Sequence, residues 1–183
     1  LRIRAAGEDR RFRDIKPSFF RFLNAWTIQG LWVSITIAAA LAAITSETRQ
    51  ALGIYALVGI LLWLVGFSIE VVADQQKSKF RADPQNKGKF INTGLWSWSR
   101  HPNYFGEILL WIGVAIIAVP VLSGGQWLTL ISPLFVYILL TRVSGVPMLE
   151  KRADEKWGGQ SDYEEYKART SILFLRPPSA PNE

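Results

Sequence analysis

Four apolar stretches, each about long enough to cross a bilayer, leave this 183-residue chain few folds to choose from. They run from about Leu23 to Ile44, Ala51 to Ala73, Tyr104 to Leu122 and Trp127 to Gly145. A bilayer core of roughly 30 Å is crossed by about 20 apolar helical residues. Of 21 Lys/Arg and 15 Asp/Glu, only Glu70, Glu107 and Arg142 fall inside these stretches. The averages alone, 49% hydrophobic residues and a mean hydropathy of +0.14, suit a soluble protein equally well. The distribution does not. In lipid the backbone satisfies its polar groups only as a helix or a closed barrel. A barrel needs alternating segments of roughly ten residues, and these stretches do not alternate. The expected fold is all-α: a multi-pass transmembrane helical bundle with four spans. Residues 1–183 then form a single membrane domain, with a cytoplasmic loop at 74–103 and a cytoplasmic tail at 146–183.

Charge sets the expected orientation. Residues 1–21 hold seven Lys/Arg, residues 74–102 hold six, and the chain from Arg142 onward holds seven. The two opposite loops hold only Arg49. The positive-inside rule puts both termini and the 74–103 loop in the cytoplasm, and Trp26, Trp96, Trp98 and Trp127 fall near span ends, where indoles favour the interface. A multi-pass protein of a bacterial inner membrane is the expected location. The net charge of +6 is then a matter of topology and attraction to anionic lipid. It is spread over three segments with no dense run, which argues against nucleic acid as a partner. The basic start, Leu1 to Lys16, lacks the apolar core of a signal peptide. The first residue is Leu1 and the single methionine is Met148, so a processed product or a fragment is expected. Absence of Cys excludes a disulfide scaffold, a thiolate metal site and a cysteine nucleophile. A single His argues against an all-protein metal site, and none is assigned.

The tail carries its own punctuation. Pro147 suits the first turn of a helix carrying Leu149 to Trp157, and Gly158-Gly159 ends it. Ser161 precedes Glu164 by three, a capping-box spacing for a second short helix to about Arg169. Pro177 to Glu183 reads as a disordered end.

Two groups of residues carry chemistry. Glu70, Asp74, Lys77 and Arg81 are spaced four, three and four apart, so they share a face if the second helix continues past the membrane. Glu70 lies inside the apolar run, where an ionisable residue is a functional hypothesis; the alternative is a snorkelling helix end with Asp74 and Lys77 paired at the surface. The second group is Arg100-His101-Pro102-Asn103-Tyr104-Phe105-Gly106-Glu107. Pro102 and Asn103 mark a helix start, which favours anions, and Arg100 offers a bidentate contact to phosphate or carboxylate. Asn103 and Glu107 stand one turn apart, and small Gly106 allows close approach of another backbone or a ligand. Taken alone, His101 reads as a surface histidine in a turn with no partner acid. Arg142 and Glu150 are placed to face the same vestibule as Arg100. Lys151, Arg152, Asp154 and Glu155 read as a solvated face, and Tyr163 and Tyr166 as packing residues. No Gly-rich dinucleotide fingerprint is present.

The second group, with Ala73-Asp74-Gln75 and Lys79-Phe80-Arg81 before it and Arg142-Val143-Ser144-Gly145-Val146-Pro147 after it, resembles the C-terminal part of the steroid 5-alpha-reductase superfamily. The likeness is greatest to its uncharacterised bacterial branch, and it covers about Phe20 to Pro177. The Arg-His-Pro-x-Tyr element is shared with membrane methyltransferases similar to isoprenylcysteine carboxyl methyltransferase. The resemblance implies a multi-helix membrane fold binding NADPH in a cytoplasm-facing cavity, with hydride passing to a carbon–carbon double bond conjugated to a ketone in a lipid-like substrate. It implies cofactor contacts from Asp74, Arg81, Asn103, Tyr104 and Glu107, to which the local chemistry adds Arg100 and His101. The chain departs from the steroid enzymes at Glu70, where they carry Asn, and at Arg100-His101-Pro102, where animal enzymes have small residues. A cofactor-contacting His of theirs falls near Val146. The Tyr and Glu that polarise the ketone in those enzymes lie upstream of the matching part, so no catalytic acid is assigned here.

Three functions follow as expectations. The first is a membrane-embedded NADPH-dependent reductase of a steroid-like or other lipid enone, an oxidoreductase acting on a CH–CH group. The second is an S-adenosylmethionine-dependent membrane methyltransferase. The third is a non-catalytic membrane scaffold or transporter fragment, in which Glu70 and Glu107 act only as polar glue between helices. The expected partners are membrane lipids and a lipid-like substrate. Substrate identity, NADPH versus NADH and oligomeric state stay open.

Overall fold

The computed structural model describes residues 17–48 and 50–178. The basic start, Arg49 and positions 179–183 of the expected disordered end lie outside the described residues. Among the described residues seven α-helices follow in order: α1 (Phe19–Thr36), α2 (Ala38–Thr45), α3 (Ile54–Ala82), α4 (Pro102–Ala118), α5 (Ile131–Ile138), α6 (Val146–Trp157) and α7 (Ser161–Arg169). No strand occurs among them; one isolated parallel bridge joins Ser99 to Ser171. The chain is an all-helical, multi-pass membrane protein. Among the described residues three helical stretches are long and apolar enough to cross a membrane, namely Ile54–Ala82, Pro102–Val121 and Gly124–Trp157, and the bent pair α1 and α2 makes a fourth if it is one span.

The first apolar stretch differs from the straight span expected at 23–44. It is two helices, α1 and α2, meeting at 58° around Ile37. The Ser132 hydroxyl donates to the carbonyl of Thr36, and a side chain engaging the helical ladder is a recognised cause of a sharp kink. Past the bend, Ala39 and Ala42 of α2 pack flat on Ala115, Ala118 and Leu122.

The loop expected at 74–103 is also shorter, because α3 stays helical through Ala82. Its 29 residues extend about 44 Å, more than the hydrocarbon needs, and Gln75, Gln76, Lys77 and Lys79 are adequate helix formers. The last long stretch changes form along its length. A 3₁₀ segment (Gly124–Leu130) leads into α5, a π-helical turn (Leu139–Val143) follows, and α6 comes after Gly145. Apolar character ends at the π turn. Helix α6 itself carries Glu150, Lys151, Arg152, Asp154, Glu155 and Lys156.

Helices α3 and α4 run antiparallel at backbone contact. A methyl group on Gly66 would lie 2.6 Å from the carbonyl oxygen of Gly106, and one on Gly106 would lie 2.6 Å from that of Gly66. One turn pair away, Gly59 and Gly113 meet in the same reciprocal way, also at 2.6 Å. Seven-residue spacing on both helices keeps the two crossings on one seam. Small residues at a membrane helix interface permit this approach.

The C-terminal elements are tied together locally. Pro147 stands in the first turn of α6, and Gly158 caps its end; Gly159 has φ of +82°. The capping box expected at Ser161 and Glu164 does not form. Ser161 is already helical with Gln160 as the cap, and the Glu164 carboxylate accepts from the Gly159 N–H at 3.1 Å. The Asp154 carboxylate accepts from the Tyr163 hydroxyl at 2.9 Å and from Lys167 Nζ at 2.6 Å, which fastens α7 to α6. Beyond Thr170 the chain runs back under the start of α4, and Leu173 is buried with Ile108, Val136 and Leu140.

Candidate functional site

A cavity of about 460 Å³ opens where the end of α3, the 86–91 segment, the start of α4 and helices α6 and α7 converge. Each wall has a local reason. Trp96 is buried because its indole N–H donates to the Ala73 carbonyl at 3.0 Å, and Lys77 Nζ sits 4.3 Å from its ring centre. The 94–97 turn is held by Gln76, whose side-chain oxygen accepts from the Leu95 N–H at 2.9 Å. Asn86 donates to the Phe80 carbonyl at 3.1 Å, and Trp157 donates to the Gly88 carbonyl at 2.6 Å. Phe90 then lies against Trp157, Tyr163 and Tyr166. The Tyr166 hydroxyl donates to the Trp96 carbonyl at 2.7 Å, and burial pushes its phenol well above the ordinary range.

The floor is Ser99-Arg100-His101, held by the C-terminal strap. The Arg100 N–H donates to the Ser171 carbonyl at 2.8 Å. The fully buried Ser99 hydroxyl donates to the Leu173 carbonyl at 2.8 Å and accepts from the His101 N–H at 3.1 Å. Ser99→Ala strips a partner from both groups in a dry environment. It is expected to cost about 1–3 kcal/mol, read as a lower midpoint of thermal unfolding in detergent.

The cavity is strongly cationic. Lys77, Arg81, Lys87, Lys89, Arg100, Arg152 and Lys156 line it, against one carboxylate, Glu150. Glu150 Oε2 is 3.1 Å from Arg100 Nη1, and Glu150 Oε1 is 2.8 Å from His101 Nε2. His101 therefore has a partner acid, which the sequence did not reveal. Burial alone would raise the Glu150 pKa, but the His101 hydrogen bond and the Arg100 charge outweigh it and hold the carboxyl below its usual range. Arg100 Nε and His101 Nδ1 are buried without a hydrogen-bond partner.

Of the stripe and the helix start singled out from the sequence, Lys77, Arg81, Arg100 and His101 line this cavity. Asp74, Asn103, Tyr104 and Glu107 lie outside its walls. Asn103 donates to Asp74 at 3.2 Å across the α3–α4 seam, and Glu107 follows one turn later on α4. Glu70 meets the seam at Gly106, where a methyl group would touch its backbone nitrogen at 2.8 Å. Tyr104 links the two groups. Its ring stacks on His101 with centroids 5.6 Å apart and planes at 9°, and its other side meets Gly145. Arg142 is exposed and does not line the cavity, whereas Glu150 does. Arg152, read as part of a solvated face, lines it, as do Tyr163 and Tyr166. No local pattern marks Phe90, Trp157 or Tyr166 as neighbours; only the folded tail brings them together.

A family model described as "Protein of unknown function (DUF1295)" matches residues 1–170. An uncharacterised protein of Schizosaccharomyces pombe is 27% identical over 56% of this chain and 36% of its own length. A probable O-methyltransferase of Ustilaginoidea virens is 35% identical over 39% of this chain and 24% of its own. The 3-oxo-5-alpha-steroid 4-dehydrogenase 1 of Mus musculus is 35% identical over 33% of this chain and 24% of its own. The chain thus spans between about a quarter and about a third of the length of these relatives. No solved structure matches it.

Proposed function

Because the chain belongs to the DUF1295 family, with distant likeness to a steroid dehydrogenase and a methyltransferase, we propose that it forms the cofactor-binding part of an NADPH-dependent membrane reductase of a lipid enone. The observation that carries this reading is the charge of the cavity, seven Lys/Arg against one engaged carboxylate. NADPH presents a pyrophosphate and a 2′-phosphate, which suit such walls. NADH presents a ribose diol that is usually met by a free acid, and Glu150 is already occupied by Arg100 and His101. S-adenosylmethionine brings a sulfonium cation, which seven cations oppose. The buried, unpartnered Arg100 Nε and the aromatic walls also fit a nucleotide. The mouse relative, named for a 3-oxo steroid, supports a ketone-bearing lipid as substrate.

In this reading the bound cofactor supplies hydride. Arg100, Arg81 and Lys77 hold anionic groups, and Phe90 and Trp157 shield the site from water. Tyr104, stacked on His101, fixes the imidazole plane. Asp74 and Asn103, bonded to each other, hold the start of α4 against α3 outside the cavity walls. The site faces the cytoplasm, which in a bacterium makes this an inner-membrane protein.

The test is thermal unfolding of the purified chain in detergent with each cofactor. A ligand at 100 times its Kd stabilises by about 2.7 kcal/mol. NADPH is expected to raise the midpoint, NADH to raise it less, and S-adenosylmethionine to leave it unchanged. An NADPH trace superimposed on the free one rejects the reductase reading; a shift with S-adenosylmethionine alone replaces it with the methyltransferase.

A further inference from the structure

One acid stands among seven Lys/Arg, and it sits on the innermost of them. The side chains of Arg100 and His101 are 9% and 6% exposed, and that of Glu150 is 20% exposed. Their pairing is incomplete. Arg100 Nη1 lies 3.1 Å from Glu150 Oε2, yet neither Nη1 nor Nε makes a hydrogen bond, and His101 Nδ1 makes none. A carboxylate matched to a guanidinium ordinarily takes two parallel N–H bonds, and buried donors are nearly always satisfied. The two buried guanidinium nitrogens, which can only donate, mark a place shaped for a larger acceptor than the one now there. The start of α4 adds to this. His101 is its N-cap and makes no side-chain cap bond, so the helix end adds positive potential at the same corner.

We propose that Glu150 is a built-in occupant of an anion subsite formed by Arg100, His101 and the start of α4, and that a phosphate-bearing ligand enters by displacing it. This rests on the cavity being the ligand site. A phosphate offers three acceptor oxygens and more charge than a carboxylate, so it satisfies donors that Glu150 leaves free. Glu150 stands on α6, a different helix from the one that Arg100 and His101 precede, so its side chain can leave the corner without moving either of them. In the ligand-free protein it neutralises the buried Arg100 guanidinium and bonds to His101; in the bound protein the ligand takes its place. Binding is therefore an exchange of one anion for another, and Glu150 sets the threshold a ligand must exceed.

The probes are inorganic pyrophosphate and NADPH, each added to the full chain in detergent. Carbodiimide labelling with an amine, followed by peptide mass analysis, reads the accessibility of the Glu150 carboxyl. Labelling of Glu150 is expected to rise when pyrophosphate binds; an unchanged or slower rate at saturation overturns the proposal, as does failure of pyrophosphate to bind. Glu150→Gln removes the competing charge while keeping the shape. It is expected to tighten pyrophosphate about tenfold or more, the worth of one charge-assisted bond. Equal or weaker binding overturns the proposal and makes Glu150 a residue that merely positions Arg100. If the variant does not fold, labelling of the unaltered protein still decides. Pyrophosphate that releases Glu150 where NADPH does not bind supports the subsite and rejects the dinucleotide reading.

Discussion

Replacing Gly66 or Gly106 by alanine is expected to force α3 and α4 apart and to lower stability by about 1–3 kcal/mol or more at each position. The reason is the identity of the atoms in the way. A methyl on Gly66 meets the Gly106 carbonyl at 2.6 Å and the Leu110 nitrogen at 2.6 Å; one on Gly106 meets the Gly66 carbonyl at 2.6 Å and the Glu70 nitrogen at 2.8 Å. All are backbone, so no side chain can rotate to make room. Gly30 supplies the contrast. It lies within α1 with nothing within 4 Å of the added methyl, so Gly30→Ala is expected to be neutral or to stabilise by up to about 1 kcal/mol. Unfolding midpoints of the three variants in detergent check this. The double variant Gly66→Ala/Gly106→Ala is expected to lose less than the sum of the singles, because one separation relieves both clashes. Equal midpoints for Gly66→Ala and Gly30→Ala would show that the seam is not packed as described.

Arg100→Ala is expected to have the largest effect on binding. It leaves Glu150 with only His101, and removing one member of a buried ion pair typically costs about 3–5 kcal/mol. Loss of the inner cation is expected to weaken NADPH by about 10- to 100-fold, the range for a charge-assisted hydrogen bond. Arg81→Ala, at an exposed position on the rim, is expected to change it far less. Titration calorimetry on both variants separates these outcomes. Acid unfolding gives a second reading. The Glu150 carboxyl is held below its ordinary value of 4.5, so its contribution is complete above that value and is lost as pH falls through the lower folded one. The unaltered protein is expected to lose stability below about pH 4, and Arg100→Ala to show a shallower acid limb.

How much of this was legible depended on how far apart the interacting residues are. Span positions could be read directly, because lipid thickness imposes a run length that any single stretch displays. The four-three-four stripe from Glu70 to Arg81 was compatible with a longer helix but did not establish one, and the continuation of α3 to Ala82 shortens the loop expected at 74–103. The bend at Ile37 was not legible, because it is made by Ser132, 96 residues from Thr36. Gly106 was recognisable as a place of close approach, but its counterpart Gly66 was not, since a seam needs two helices in register. Arg100 and His101 announced themselves through the helix start they precede. Glu150 could be placed in the same vestibule as Arg100, but not as the partner acid of His101, because the two are 49 residues apart.

The strap beneath the cavity floor also bears on how the site comes into being. Ser99 and the Leu173 carbonyl it holds are 74 residues apart, and at roughly 5–20 residues per second a ribosome needs several seconds to make that interval. The last apolar stretch ends near Gly145, 28 residues before Leu173 is made. The corner that gathers Arg100, His101 and Glu150 is therefore among the last parts to close during synthesis, and a nascent chain inserts in the membrane before it acquires a place to bind.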